Sequence, residues 1–585
     1  MSRLVLGINS EHADASAVLV GEGGMLAAIA EERITRKKHC GGFPRHAVRE
    51  VLRLAGADPS DITDIAVARD PFANLGAKLA FLASSPRTAL PRALRRLDVH
   101  RSVASSAELV ADALGVPASG IRARFHHVEH HLAHIASAFF CSPFERATGL
   151  SLDGAGDFAS AMVASCEGTR IRIRRRTHLP HSLGVFYTAI CQHIGFDRFG
   201  EEYKVMGLAA YGVNRYAKEM RKLVHYDEKS GFRLELDYFR HHRMAGIIET
   251  SNEDEVTIPR LYSQKLESLL GPARKRGEPI EDRHRDIAAS LQARFEEVYL
   301  AHVGDAVRRL ECADVVMAGG SVLNSVGNGR LLTERVVERA YFHPAASDDG
   351  TAAGAALYVL HERLGVPRNE AMRHAYWGTS FTDEEIEKAI VASGLSFQEL
   401  DRDALIAKAA DAIAQGKVVG WFQGREEWGP RALGNRSILC HPGYPGMKAT
   451  LNARIKNREP FRPFAPAVRI EKLSTCFHGE HEVPFMIVVY KVRSEWKERL
   501  SAITHEDGTG RVQTVRREDN PLYYDLIRAF EDRTGIPVLL NTSFNENEPI
   551  VHTPEQAIDC FARTKMDALG IGGYWLEKSC APSSP

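Results

Sequence analysis

The sequence predicts an α/β protein of two domains, the first of them built from a unit used twice. Three observations carry that prediction. A pattern of strand, polar turn and strand recurs at a fixed spacing, and a second run of helix and strand signals begins after residue 367. The chain is also 585 residues long, more than a single hydrophobic core ordinarily serves.

Residues 4–8 and 15–20 read as strands joined by the tight turn Asn9 to Asp14. A third strand, 25–30, follows the glycine-rich turn Gly21 to Gly24, and Pro44 suits the first turn of a helix running through Leu54. The scheme returns at 149–153 and 159–164 around Gly154-Ala155-Gly156-Asp157, with 171–175 as its third strand. Leu6-Gly7-Ile8-Asn9 lies 144 positions before Leu150-Ser151-Leu152-Asp153. Two such units, with their turns facing across a nucleotide cleft, are the plan of actin and the sugar kinases. By that analogy the N-terminal part is an actin-like, sugar-kinase-like duplicated nucleotide-binding domain. The strand 314–318 then runs into Gly319-Gly320-Ser321-Val322-Leu323-Asn324, where a glycine pair lets a flat ligand approach the backbone. A terminal helix over 350–364 stops at Gly365 and Pro367, which divides the chain into domains 1–367 and 368–585. In the second domain Thr382 and Glu385 form a capping box, a helix over 403–415 ends at Gly416, and the strand 417–422 leads into a cationic loop. Residues 212–285 read as an irregular charged insertion, and the tail from Cys580 as loose.

Lysine plus arginine equals aspartate plus glutamate at 75 each, so no global field draws the chain to nucleic acid or to a membrane. Nine scattered cysteines without a CxxC pair suit neither a disulfide framework nor a thiolate zinc site. No apolar run resembles a signal peptide or a membrane span, and the expectation is a reduced, cytoplasmic protein. No Walker A pattern is present, which removes the P-loop route to nucleotide binding.

The densest chemistry lies in Gln423 to Ser437, followed by Lys456, Arg458 and Arg462. Cations and glycines are interleaved there with Trp428, Pro430, Phe461, Pro463, Phe464 and Pro466, which argues for a shaped loop system rather than a solvated charged face. Forked guanidinium donors and close backbone approach suit a polyanion such as an acyl phosphate or a nucleotide. His130 and His134 stand at i and i+4 in a stretch free of glycine and proline, so a helix would put both imidazoles on one face. With Asp153 at the second turn and Asp348 at a loop-to-helix junction they form a thiolate-free set suited to iron(II), zinc or manganese. Such a site should lose its ion as pH falls through the ordinary histidine range. His126, His127 and His131 read as bystanders. His12 lies on the first turn; a neutral imidazole there could take the proton of an attacking alcohol, although a turn histidine bonded to backbone is the plainer reading.

These motifs, together with Glu202 to Ala209, Ser347-Asp348-Asp349-Gly350 and Asn541-Thr542-Ser543-Phe544-Asn545, resemble the bacterial O-carbamoyltransferases of antibiotic and nodulation-factor biosynthesis, the nebramycin and cephem carbamoyltransferase type. The resemblance covers essentially the whole chain. It implies an N-terminal domain similar to the threonylcarbamoyladenosine transferases and a C-terminal YrdC-like α/β domain. It further implies that the C-terminal domain makes carbamoyl adenylate from carbamoyl phosphate and ATP, with magnesium on the ATP. The N-terminal domain would then pass the carbamoyl group to a hydroxyl of a small-molecule natural product. Carried over, the resemblance implies His12 as the catalytic base and His130, His134, Asp153 and Asp348 as metal ligands, iron(II) being the first choice and Asp349 the rival to Asp348. The adenylate site would be lined by Gly154, Lys204, Gly207, Gly320 and Asn324. The carbamoyl phosphate and ATP site would be lined by Arg425, Lys456, Arg458, Arg462, Arg516 and Ser543. A monomer or homodimer is expected, with no nucleic acid or membrane partner.

Two other classes compete. A small-molecule kinase of the actin-like class would release ADP rather than AMP and pyrophosphate, and would leave the cationic loop without a role. A nucleotide-binding regulator would show no turnover. The acceptor is not encoded in any motif; the stretches 70–125 and 212–285 are its candidate contacts.

Overall fold

The computed structural model describes residues 3–84, 106–244, 246–251 and 255–578; the tail from Cys580 and the part of the candidate acceptor region at 85–105 lie outside them. The chain forms two compact units, Met1–Met372 and Arg373–Pro585.

The first unit contains two five-stranded sheets of the same plan. In one, β1 (Leu4–Asn9), β2 (Ser16–Gly21) and β3 (Gly24–Ala30) form an antiparallel meander. β4 (Asp64–Val67) then lies parallel beside β1, and β5 (Arg124–His127) parallel beside β4. In the other, β6 (Arg146–Gly156), β7 (Ala159–Glu167) and β8 (Arg170–His178) repeat the meander, with β9 (Asp314–Ala318) and β10 (Arg339–Phe342) added in parallel. The orders β3-β2-β1-β4-β5 and β8-β7-β6-β9-β10 coincide, so the duplication read from sequence is a duplication of topology, and the unit has the actin and sugar-kinase fold. The parallel strands at the centre are mostly apolar, as expected of strands covered on both faces: Val5, Leu6 and Ile8 in β1 and Val315, Val316 and Met317 in β9 are fully buried.

Both meander turns hold non-glycine residues at positive φ, Glu11 and Asp14 in the first and Asp157 and Phe158 in the second. Such angles persist only where surrounding contacts over-determine them. The helix His130–Cys141 is buried along its whole length and packs on the helix Thr351–Tyr358. The two backbones approach so closely that a Cβ at Gly354 would stand 1.7 Å from the carbonyl oxygen of Ala133. The helix that follows Asp348 is therefore seated directly on the helix that carries His130 and His134.

Two expectations need correction. The terminal helix is α-helical over Thr351–Tyr358 and closes as a π-turn over Val359–Arg363. Residues 212–285 are not irregular: they hold the short helices Ala217–Leu223 and Gln264–Leu270 and the hairpin Val224–Asp227 with Gly231–Leu234. The helix Asp282–Leu310 that follows escaped detection because charged residues interrupt its buried face of Ile287, Leu291, Phe295 and Tyr299.

The second unit is a nine-stranded mixed sheet with Val419–Phe422, Arg436–Cys440, Val538–Ser543 and Ala465–Arg469 adjacent at its centre. Its first helix, Asp383–Ser393, has the reciprocal Thr382–Glu385 capping box, and the next, Arg402–Ala414, is capped by Asp401. Among the described residues no helix is long and apolar enough to cross a membrane, and no disulfide joins the described cysteines to one another.

Candidate metal centre and anion site

The helix His130–Cys141 and the ends of two other segments bring four donor groups together. His130 Nε2 and His134 Nε2 face each other at 3.1 Å, as i, i+4 spacing on one helix allows. Asp153, near the end of β6, places Oδ2 at 3.3 Å from His130 Nε2 and 4.0 Å from His134 Nε2. Asp348 places Oδ1 at 3.5 and 3.6 Å from the same two nitrogens. An ion with bonds of about 2.0 to 2.2 Å sets neighbouring donors about 3 to 3.6 Å apart, which all these separations meet except the 4.0 Å between His134 and Asp153, a pair that would have to draw together or stand at a wider angle about one divalent cation. Asp349 turns elsewhere, accepting the backbone N–H of Gly350. The other oxygen of Asp153 accepts the N–H of Gly320 at 2.9 Å, which fixes the carboxylate. Gly156 makes the packing possible, since a Cβ there would lie 2.0 Å from the His130 ring.

The charge states agree with a cation site. Burial opposes ionisation of Asp153, but the hydrogen bond and charges of the neighbouring histidines outweigh it and hold its carboxyl below the usual range. Burial and then Asp153 push Asp348 well above it. Two carboxylates this close need a cation before both ionise. Burial lowers His134 to about 4. An imidazole that titrates near 6.5 unfolded and near 4 folded takes up protons first in the unfolded chain. Stability of the metal-free protein should thus fall as pH drops from 6.5 towards 4, by on the order of 3 kcal/mol for this group alone. Urea-unfolding midpoints across that range check this; a level midpoint would contradict the burial of His134.

His12 stands over this group, its ring centroid 4.6 Å from that of His130 and its Nδ1 3.9 Å from Asp348 Oδ2. It is 7% exposed, and its Nε2 has no hydrogen-bond partner among the described residues. Burial first, and the Arg69 charge second, keep the imidazole well below its ordinary pKa and hence neutral. Arg69, in the loop after β4, donates to the carbonyl of Glu11 at 2.8 Å and so braces the strained turn. Asp157 Oδ2 accepts the N–H groups of His130 and Asp70, both at 2.9 Å, tying the start of the helix His130–Cys141 to the second turn. Asp14 joins His39 Nδ1 at 2.7 Å and Ser347 Oγ at 2.8 Å. Burial works against the His39 cation, but the Asp14 carboxylate prevails and pushes it up to about 9.

The sequence reading missed Arg69, Asp157, Asp14 and His39. Asp14 and Asp157 sit on the two turns already singled out, where an aspartate in each polar turn was the available signal. Arg69 and His39 lie in loops with no local signature.

The remaining nucleotide-site candidates lie on several elements of the first unit. Gly320 touches Asp153 as described, and a Cβ at Gly154 would point into open space. Lys204 and Gly207 lie on the helix Glu202–Ala209, with Lys204 Nζ donating to Glu201 at 2.9 Å. Asn324 caps the helix Ser325–Thr333 through Gly327 N and exchanges two 3.0 Å amide hydrogen bonds with Gln292.

In the second unit the loop from Gln423 to Ser437 is folded around two internal charges. Glu427 Oε1 accepts the backbone N–H groups of Leu433, Asn435 and Arg436. Arg436 is fully buried, 3.7 Å over the Phe422 ring, and donates to the carbonyls of Gln423, Asn435, Thr379 and Gly424. Arg425 donates to the carbonyls of Trp377 and Gly378. Lys456 is buried with its ammonium against Ser543 and Asn545, and burial, with Arg458 and Arg462 adding to it, lowers its pKa well below the ordinary value. Arg458 bonds Asn452 and lies 4.5 Å over Phe464, and Arg462 is 3.6 Å from Glu459. Lys456, Arg458, Arg462 and Ser543 thus share one neighbourhood, whereas Arg516 forms a bidentate pair with Glu482.

A family model described as carbamoyltransferase N-terminus matches residues 4–357, and one described as carbamoyltransferase C-terminus matches residues 410–578. An uncharacterised protein of Synechocystis is 37% identical over 99% of this chain and 97% of its own length. Nodulation protein NolNO of Sinorhizobium fredii is 36% identical over 97% of this chain and 79% of its own. A 3'-hydroxymethylcephem-O-carbamoyltransferase of Streptomyces clavuligerus is 36% identical over 51% of this chain and 55% of its own. With both halves matched in order and two relatives aligned over 97% or more of this chain, the chain belongs to the carbamoyltransferase family of enzymes.

Proposed function

We propose that the chain is an ATP-dependent O-carbamoyltransferase of the cytoplasm that works in two stages. In the second unit, of YrdC-like type, carbamoyl phosphate and water give carbamate and phosphate; carbamate and ATP, with magnesium on the triphosphate, then give carbamoyl adenylate and pyrophosphate. In the first unit a hydroxyl of a small molecule displaces AMP from the carbamoyl carbon. The names of the cephem and nodulation relatives support a hydroxyl-bearing natural product as acceptor.

One observation carries the reading: a neutral imidazole with an unpartnered Nε2 stands beside two imidazoles and two carboxylates that converge on one point. His12 Nε2 accepts the proton of the attacking hydroxyl, and Arg69 both braces the His12 turn and opposes premature protonation. His130, His134, Asp153 and Asp348 would hold iron(II), or zinc or manganese, which when bound supplies Lewis-acid polarisation. Gly154, Lys204, Gly207, Gly320 and Asn324 would receive the adenylate. Arg458 and Arg462 would take the carbamoyl phosphate and ATP oxygens, with Lys456 setting the Ser543 turn and Arg425 and Arg516 completing the wall.

The deciding assay supplies carbamoyl phosphate and ATP and follows nucleotide products. AMP and pyrophosphate should form only when carbamoyl phosphate is present. ADP would instead favour a kinase, and no turnover a regulator.

A further inference from the structure

His39 lies in the loop after the helix Glu31–Thr35 and holds a positive φ of 54°. A non-glycine residue keeps that conformation where contacts on more than one side fix it. On one side Nδ1 donates to Asp14 Oδ1 at 2.7 Å, and Asp14 Oδ2 accepts the hydroxyl of Ser347 at 2.8 Å. Ser347 immediately precedes Asp348. Ser16 donates its hydroxyl to the carbonyl of Asp349 at 2.7 Å, so residues at both ends of the first turn's exit clasp the segment that carries Asp348.

On the other side the imidazole meets the loop that opens the helix Glu202–Ala209, which carries Lys204 and Gly207. The Phe199 ring stands edge-on to it, 5.1 Å between centroids. The backbone of Gly200 comes so close that a Cβ there would lie 2.3 Å from His39 Nε2. Glu32 Oε2 accepts the backbone N–H of His39 at 3.0 Å. The charged groups that face the ring are Asp14 from the turn, Glu32 from the helix before it, the neighbouring Lys38, and Glu202 from the helix beyond Gly200. Burial opposes the imidazolium, but the Asp14 carboxylate prevails, and His39 is charged at neutral pH.

We propose that His39 is a positioning residue for carbamoyl transfer: seated against Phe199 and Gly200, it holds Asp14, and through Asp14 and Ser347 it sets Asp348 for the metal. The footing of the helix bearing Lys204 and the metal centre are thereby joined through one side chain. Groups behind a metal ligand orient it, and their loss typically costs about 10 to 100 fold in metal affinity or activity. The inference rests on the reading of Asp348 as a ligand. The tie holds while His39 is charged, and an imidazole raised to about 9 gives up its proton as pH rises through that value. Transfer should therefore fall on the alkaline side.

Hydrogen–deuterium exchange of the full chain reads the tie in the peptide spanning Ser347 to Thr351, with rates corrected for the intrinsic effect of pH. At neutral pH that peptide should exchange about tenfold faster in His39→Gln than in wild type. Wild type should reach the faster rate as pH passes through about 9, and the glutamine variant should show no such step. His39→Lys, whose ammonium stays charged to about pH 10, should move the step upward, and it carries the test should the glutamine variant fail to fold. Transfer from preformed carbamoyl adenylate should follow the same pattern, with kcat about tenfold lower in His39→Gln and KM for the acceptor unchanged. Equal exchange in wild type and the glutamine variant, no alkaline step in wild type, or a step at the same pH in the lysine variant would each overturn the proposal. Absence of transfer in wild type would count against the catalytic reading and leave the exchange result to decide the tie.

Discussion

Replacing His12 with Asn is expected to slow carbamoyl transfer by about 10² to 10⁴ fold while carbamoyl adenylate still forms, the range for loss of a positioned general base. The imidazole is buried and neutral, and its Nε2 is unpartnered among the described residues, so asparagine removes the basic lone pair with little change in volume. Supplying preformed carbamoyl adenylate isolates the step, with carbamoylated acceptor as the readout. If both half-reactions vanished together in a folded variant, His12 would be a structural residue of the turn and not a base.

Arg436→Met should destabilise the second unit by about 3 to 5 kcal/mol and abolish adenylate formation, because a fully buried hydrogen-bonded cation is being removed from its partners. Four carbonyls, those of Gln423, Asn435, Thr379 and Gly424, would lose their donor, the first three on buried residues. Arg436→Lys should not restore the loop, since one ammonium lacks the planar fork that spans these oxygens. Urea unfolding of the Arg373–Pro585 unit, followed by its tryptophan fluorescence, measures the loss; a change under about 1 kcal/mol would show that the loop holds its shape without this residue.

Topology and donor set were legible to different degrees. The duplicated meander could be read because short β-turns leave a local trace, and its glycines and aspartates mark the reversal of the chain. His130 and His134 were visible for the same reason, being four residues apart on one helix. Arg69 and His39 were not, because they reach the site from loops after unrelated elements, and only the folded sheet brings them there. The cationic loop shows a different limit. Sequence identifies Arg436 and Glu427 as charges, but it does not say that each faces inward to satisfy backbone groups. Composition likewise hid the long helix Asp282–Leu310, whose charged face is broad enough to blur its apolar stripe.

The contact between Gly354 and Ala133 bears on how this chain tolerates change. Neither residue touches a reacting group, yet a single methyl at 354 would force two buried helices apart, and those helices hold His130 and His134 on one side and follow Asp348 on the other. A saturation screen scored by function would therefore report position 354 as forbidden as any ligand, although its intolerance comes from the absence of volume rather than from chemistry. The seam between these helices thus acts as a fixed pin for everything mounted on it.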